Sequence, residues 1–174
     1  MDWRGFELHP DTPPGGMALR DKFGPRIDTM HAQLRQFAAG MGVHDMKLHA
    51  RSPNTRKALA VAEYAREQGT LDRYRVLAME AHWRHGKDLE SEQDLKAVAA
   101  ESGLDPEAAW AAATSPVYLG RLDALRAEAG QMGVSGIPTF FFGEVKVVGC
   151  QPYEQLRQVA EYAGARRKDA KDAP

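Results

Sequence analysis

The sequence predicts an α/β chain: a short early strand, a long helical stretch, then a β-hairpin and a closing helix. Three observations predict it. Trp3–Leu8 alternates, with Phe6 and Leu8 on one face, which is the period of a half-buried strand. From about residue 17 to about residue 132, apolar residues recur at steps of three and four between glycine and proline punctuation, the period of amphipathic helices. From Thr139 to Val148, two short runs rich in aromatic and β-branched residues flank Gly143-Glu144, the pattern of a hairpin.

The elements follow in order. His9-Pro10-Asp11-Thr12-Pro13-Pro14-Gly15-Gly16 ends the first strand, because three prolines and two glycines sustain neither strand nor helix. Leu19, Phe23, Ile27, Met30, Leu34 and Phe37 form one apolar stripe, which Gly24-Pro25 divides into a short helix and a longer one. Gly40 and Gly42 close the second. Lys47–Ala50 is a short extended piece, and Ser52 or Asn54 can cap the next helix. Four further helices are expected before the last long one. They carry Leu59, Ala62 and Ala65; then Leu71, Tyr74, Leu77, Ala78 and Ala81; then Leu95, Val98 and Ala99 behind a capping box at Ser91–Asp94; then Trp110 behind Asp105-Pro106. Ser115-Pro116 starts the long helix, with Leu119, Leu122, Leu125, Ala129 and Met132 facing inward. After the hairpin, Gln151-Pro152 opens a helix with Tyr153, Leu156, Ala160 and Ala163 on its inner face, and Arg166–Pro174 is a charged, frayed tail. The methionines spread over these faces are expected to fill the core.

Composition bounds the chemistry. At 174 residues the chain is expected to be one domain, 1–174, with enough interior to fold without a metal or disulfide staple. Lys plus Arg number 23 and Asp plus Glu 24, so no bulk basic footprint marks a nucleic-acid partner. No run of apolar residues is long enough to span a membrane, and Met1-Asp2-Trp3-Arg4 is not a secretory pattern, so a cytoplasmic location is expected. The one cysteine excludes an intramolecular disulfide, a Cys-rich zinc site and a Cys-x-x-Cys pair within these residues. No metal and no cofactor is expected, because neither a metal-spaced His/acid set nor a phosphate-binding glycine loop is present.

Among candidate functional residues, Gly133-Val134-Ser135-Gly136-Ile137-Pro138-Thr139-Phe140 is the most specific stretch. A proline directly before a strand removes a ladder donor. It is either a trans proline at a strand start or a cis proline that turns the chain sharply and leaves the Ile137 N–H and C=O open to an extended peptide or a thiol tripeptide. Cys150, beside a helix start, reads either as a small semi-buried residue or as a thiol for a mixed or intermolecular disulfide. The six histidines read as surface residues, with His82 and His85 able to share a helix face. His9 stands apart, because its Pro-rich loop follows the first strand. Asn54 is placed to cap its helix.

Gly-Val-Ser-Gly-Ile-Pro-Thr-Phe, the hairpin, and Val-Gly-Cys-Gln-Pro-Tyr-Glu resemble the C-terminal half of DsbA-like thioredoxin-fold proteins. Trp3–Pro10, Asn54–Leu59 and His85–Leu89 resemble the FrnE-type branch of that family, whose relatives include 2-hydroxychromene-2-carboxylate isomerases and kappa-class glutathione transferases. The resemblance covers about residues 3–163. It implies a thioredoxin-like fold with a large all-helical insertion at about 17–132 and a C-terminal ββα unit at about 137–163. It implies thiol–disulfide exchange in the cytoplasm, with a cis Pro138 and a substrate strand lying along Ile137–Thr139. The implied partners are a thiol or disulfide peptide or glutathione, and the resemblance to the glutathione-using relatives also implies a ligand contact for Asn54. The family's first strand and helix, which carry the Cys-x-x-Cys, have no match here. The expectation is therefore a chain truncated at its start, with two strand edges left unpartnered. Two other readings stand beside it: a redox-inactive glutathione-binding isomerase or transferase relative, and a non-enzymatic dimerisation or scaffold module, a homodimer being the assembly that pairs open edges.

Overall fold

The computed structural model describes residues 1–166. The chain divides into two compact units, Met1–Glu128 and a second that begins at Ala129. The expected charged tail lies outside the described residues apart from Arg166.

In the first unit, a two-residue strand β1 (Met17–Ala18) leads into α1 (Leu19–Phe23) and α2 (Arg26–Gly40). Strand β2 (Arg51–Ser52) returns antiparallel to β1, with Met17 opposite Ser52 and Ala18 opposite Arg51. Gly16 makes this ribbon possible. Its φ is +72°, and a Cβ there would lie 2.5 Å from the Ser52 carbonyl oxygen.

The core is helical. It is built by α3 (Arg56–Glu67), α4 (Leu71–Trp83), α5 (Glu92–Glu101) and α6 (Pro106–Thr114), and α7 (Pro116–Gln131) follows them. Val61, Ala65, Tyr74, Leu95, Val98, Ala99, Ala109 and Ala113 form one buried cluster. Apolar burial of this kind is the main stabilising term, and here much of it comes from alanines that let helices approach closely. Asp105 caps α6 by accepting the Ala108 N–H at 2.7 Å. In the second unit, β3 (Thr139–Phe142) and β4 (Val145–Val148) pair antiparallel across Gly143-Glu144, and α8 (Tyr153–Tyr162) follows.

Helix and hairpin positions agree with the sequence reading, but several faces do not. Trp3–Leu8 enters no ladder among the described residues. A strand needs a neighbour for its backbone groups, and here side chains of α3 hold the segment instead. Arg66 bonds the Trp3 carbonyl and the Asp2 carboxylate, Arg56 bonds Glu7, and Leu59 packs on Gly5. Of the stripe on α1 and α2, only Ile27 is buried, whereas Met30, Leu34 and Phe37 are exposed. On α3 Ala65 is buried as expected and Ala62 packs against the core, but Ala58 and Val61 are buried beside them while Leu59 is not. The capping box does not form, because Asp94 turns to the Asp88 N–H and to Lys87. On α7 only Leu122 is buried, and Tyr153 at the start of α8 is exposed. Met30, Met41, Met79 and Met132 lie on the surface rather than in the core.

Candidate functional site

The second unit presents the Ile137–Thr139 corner. Gly133, at φ +68°, ends the preceding helix, and its carbonyl accepts Lys146 Nζ at 3.0 Å. The Ile137–Pro138 peptide is cis. Thr139 Oγ1 donates to the Gly136 carbonyl at 2.6 Å, and the Gly149 N–H donates to the Pro138 carbonyl at 2.7 Å. These two bonds pin the corner on both sides of Ile137. Among the described residues, the Ile137 N–H and C=O have no hydrogen-bond partner, and the residue is half exposed. The second edge of β3 is likewise unpaired among the described residues. The corner can therefore donate to and accept from one extended segment laid beside it.

Cys150 follows Gly149 at the end of β4 and is exposed, not semi-buried. Gln151 Nε2 beside it donates to the Val148 carbonyl at 2.9 Å.

His9 and Asn54 belong to the first unit, and both bond Thr12 of the Pro-rich loop. The His9 carbonyl accepts the Thr12 N–H at 3.1 Å. Asn54 Nδ2 donates to the Thr12 carbonyl at 2.7 Å, while its Oδ1 accepts the Arg56 N–H at 2.9 Å. Both ends of the Asn54 amide thus serve the start of α3 and the Pro-rich loop. The His9 side chain is exposed.

Two arrangements escaped the sequence. Arg56 lies at the centre of a polar network, bonding Glu7 at 2.7 Å, Asp123 at 2.8 Å and the Leu119 carbonyl at 3.2 Å. Its guanidinium holds the Asp123 carboxyl below the usual range. His82 and His49 are half-buried rather than surface residues, and His82 meets His49, not His85. Neither grouping has a local signal, since the partners are dozens of residues apart. Among the described residues, no three His, Cys, Asp or Glu side chains converge as a metal site, and no helix is long and apolar enough to cross a membrane.

A β-hairpin entered through a cis-proline corner, together with a large helical body, defines a thioredoxin-fold chain of the helically inserted class. The chain belongs to the DSBA-like thioredoxin domain family, which it matches over residues 1–161. Among solved structures it is similar to a probable DsbA oxidoreductase from Streptomyces coelicolor, at 24% identity and TM-score 0.79, covering 95% of this chain and 76% of that one. It is also similar to a 2-hydroxychromene-2-carboxylate isomerase, at 20% identity and TM-score 0.71, covering 94% of this chain and 79% of that one. At these identities the likeness is one of fold. No curated protein matches significantly.

Proposed function

We propose that the chain provides the substrate-binding face of a thiol–disulfide oxidoreductase or isomerase of the FrnE type. One observation carries this reading: the pinned corner at Ile137, with an unpartnered N–H and C=O beside the open edge of β3. An extended disulfide peptide or the backbone of glutathione matches that pattern of one donor and one acceptor. Pro138 and Thr139 fix the corner, and His9 and Asn54 belong to the same functional reading through the family resemblance. The reading includes a cytoplasmic setting and a thiolate pair that these 174 residues do not contain, because their one cysteine is Cys150. A thiolate at a helix N-terminus is what such exchange requires.

A second reading is favoured by that same cysteine count. With no dithiol, glutathione bound at Ile137–Thr139 would be held for isomerisation or transfer rather than oxidised. Pairing of the open edge with a second copy is the non-enzymatic version.

Backbone amide shifts on titration with glutathione and with a disulfide-bonded peptide test the site. The expected result is saturable shifts at Ile137 and Thr139, weakened by Ile137→Pro, which deletes the N–H. Turnover of a dithiol peptide is expected to be absent. Turnover that persists in Cys150→Ser, or shifts confined to residues remote from Ile137, would overturn the proposal. Saturation by glutathione and not by the peptide would select the second reading, and light scattering that gives a dimer would select the edge-pairing version.

A further inference from the structure

We propose that the stacked pair His49–His82 is a pH-released latch, holding the connection from Val43 to Ala50, and with it the β1–β2 ribbon, against the C-terminal end of α4. The rings stack with centroids 4.1 Å apart and planes within 6°. Trp83 meets both edge-on, at 4.8 Å from His82 and 6.0 Å from His49. His49 Nε2 bonds the His82 carbonyl at 3.0 Å, and His82 Nδ1 bonds the Lys87 carbonyl at 3.2 Å. A carbonyl only accepts, so both of these nitrogens carry hydrogen. That fixes two neutral tautomers and leaves His49 Nδ1 and His82 Nε2 as the sites for a second proton. Beside the stack, the Lys47 N–H donates to the Trp83 carbonyl at 2.6 Å, so the connection is held by side chain and backbone together.

Protonation works against this arrangement. A proton on either ring places a cation in a half-buried position, and two protons place like charges about 4 Å apart. The surrounding charges come from α4, the turn after it, α1, α2 and the connection itself. On α4, Arg84 beyond its end pairs with Glu80 and with Asp45 of the connection. In the turn after α4, Lys87 pairs with Asp94, while His85 is exposed. From α1 and α2, Arg20 pairs with Asp28, and His31 lies nearby. Lys47 adds a positive charge on the connection itself. Asp88 is the carboxylate that favours a charged His82, and the Lys87 carbonyl acts in the same direction. Burial and the neighbouring His49 outweigh them and hold His82 below the ordinary histidine range.

The sign follows from linkage. With its docked pKa lowered, His82 binds more protons in the undocked state, so docking is strongest above the ordinary histidine value of about 6.5 and weakens as pH falls below it. Release would extend beyond the rings. Leu19 N–H bonds the Ala50 carbonyl, and β2 pairs with β1, so the connection carries the start of α1 with it. A cavity of about 240 Å³ lined by Arg20, Ile27, Asp28, His31 and Leu48, and walled by His49 itself, would change shape at the same time.

Amide exchange at Lys47 in the full chain, corrected for the intrinsic rate, reads the latch directly. Between pH 7.5 and pH 5.5, protection is expected to fall several-fold, as the undocked state takes up the proton more readily. In the doubly substituted chain H49F/H82F, which keeps two stacked rings without protons, protection is expected to stay flat. The His82 imidazole resonances of the wild type provide a measurement independent of that variant's folding, and they are expected to titrate below the ordinary histidine value. Constant Lys47 protection in the wild type, the same fall in H49F/H82F, or a His82 imidazole that titrates at the ordinary value would each overturn the latch.

Discussion

Tyr74 donates its hydroxyl to the Ala58 carbonyl at 3.0 Å from a position 2% exposed. Burial pushes its phenol well above the usual value of about 10. The neutral form is the one the fold keeps, so its contribution is complete below the ordinary tyrosine value and is lost as pH rises beyond it. Tyr74→Phe is expected to cost about 1 kcal/mol at neutral pH, because the Ala58 carbonyl keeps its helical partner and only one added bond is lost. The same variant is expected to flatten the alkaline loss of stability, and urea unfolding at pH 8 and pH 11 checks both effects. This residue was legible from its apolar spacing in α4. Its hydroxyl partner on α3 was not, because spacing predicts a face and not what lies across from it.

At the scale of elements, helix boundaries were close to fully legible. Gly24-Pro25, Asp105-Pro106 and Ser115-Pro116 act on the backbone of their own residues, and the chain breaks where they stand. Faces were less legible. An alanine-rich helix offers little contrast between its sides, so on α3 Ala65 is buried as expected but Ala58 and Val61 join it in place of Leu59. The same alanines set the spacing of the core. Ala109 on α6 is 1% exposed within the buried cluster. Ala109→Leu is expected to destabilise the chain by about 1–3 kcal/mol through overpacking, read as a lower urea midpoint with an unchanged slope. The hairpin β3–β4 was read from sequence with its turn in place, since a tight turn between two β-prone runs is a local decision.

At the scale of the whole molecule, Arg56 joins the Glu7 end of the N-terminal segment to α3 and to α7. Glu7 is buried, so deleting its counter-charge strands a carboxylate in a poor solvent. Arg56→Met is expected to cost about 2 kcal/mol, less than for a fully buried pair because Arg56 keeps some water contact. It should also loosen residues 3–8 first, which hydrogen exchange along that segment would record. The candidate site shows the same contrast of scales. Ile137, Pro138 and Thr139 stood out as a motif. That Thr139 and Gly149 take up the carbonyls on either side, while the Ile137 groups stay open, became visible only in three dimensions. Asn54 shows it as well: as a helix-start residue it was legible, but its second bond, to Thr12, joins segments 42 residues apart.

By itself the sequence determined the family, the order of helices and hairpin, the proline corner and the single cysteine, because each of these depends on neighbouring residues or on a plain count. Only the tertiary structure decided that Trp3–Leu8 is held by arginines instead of a ladder, that Met30, Leu34 and Phe37 of the α2 stripe stay exposed, and that His49 lies on His82. The physical reason is the same in each case. Whether a strand pairs, a face is covered or two rings meet depends on which other segment arrives, and no local period or propensity encodes that.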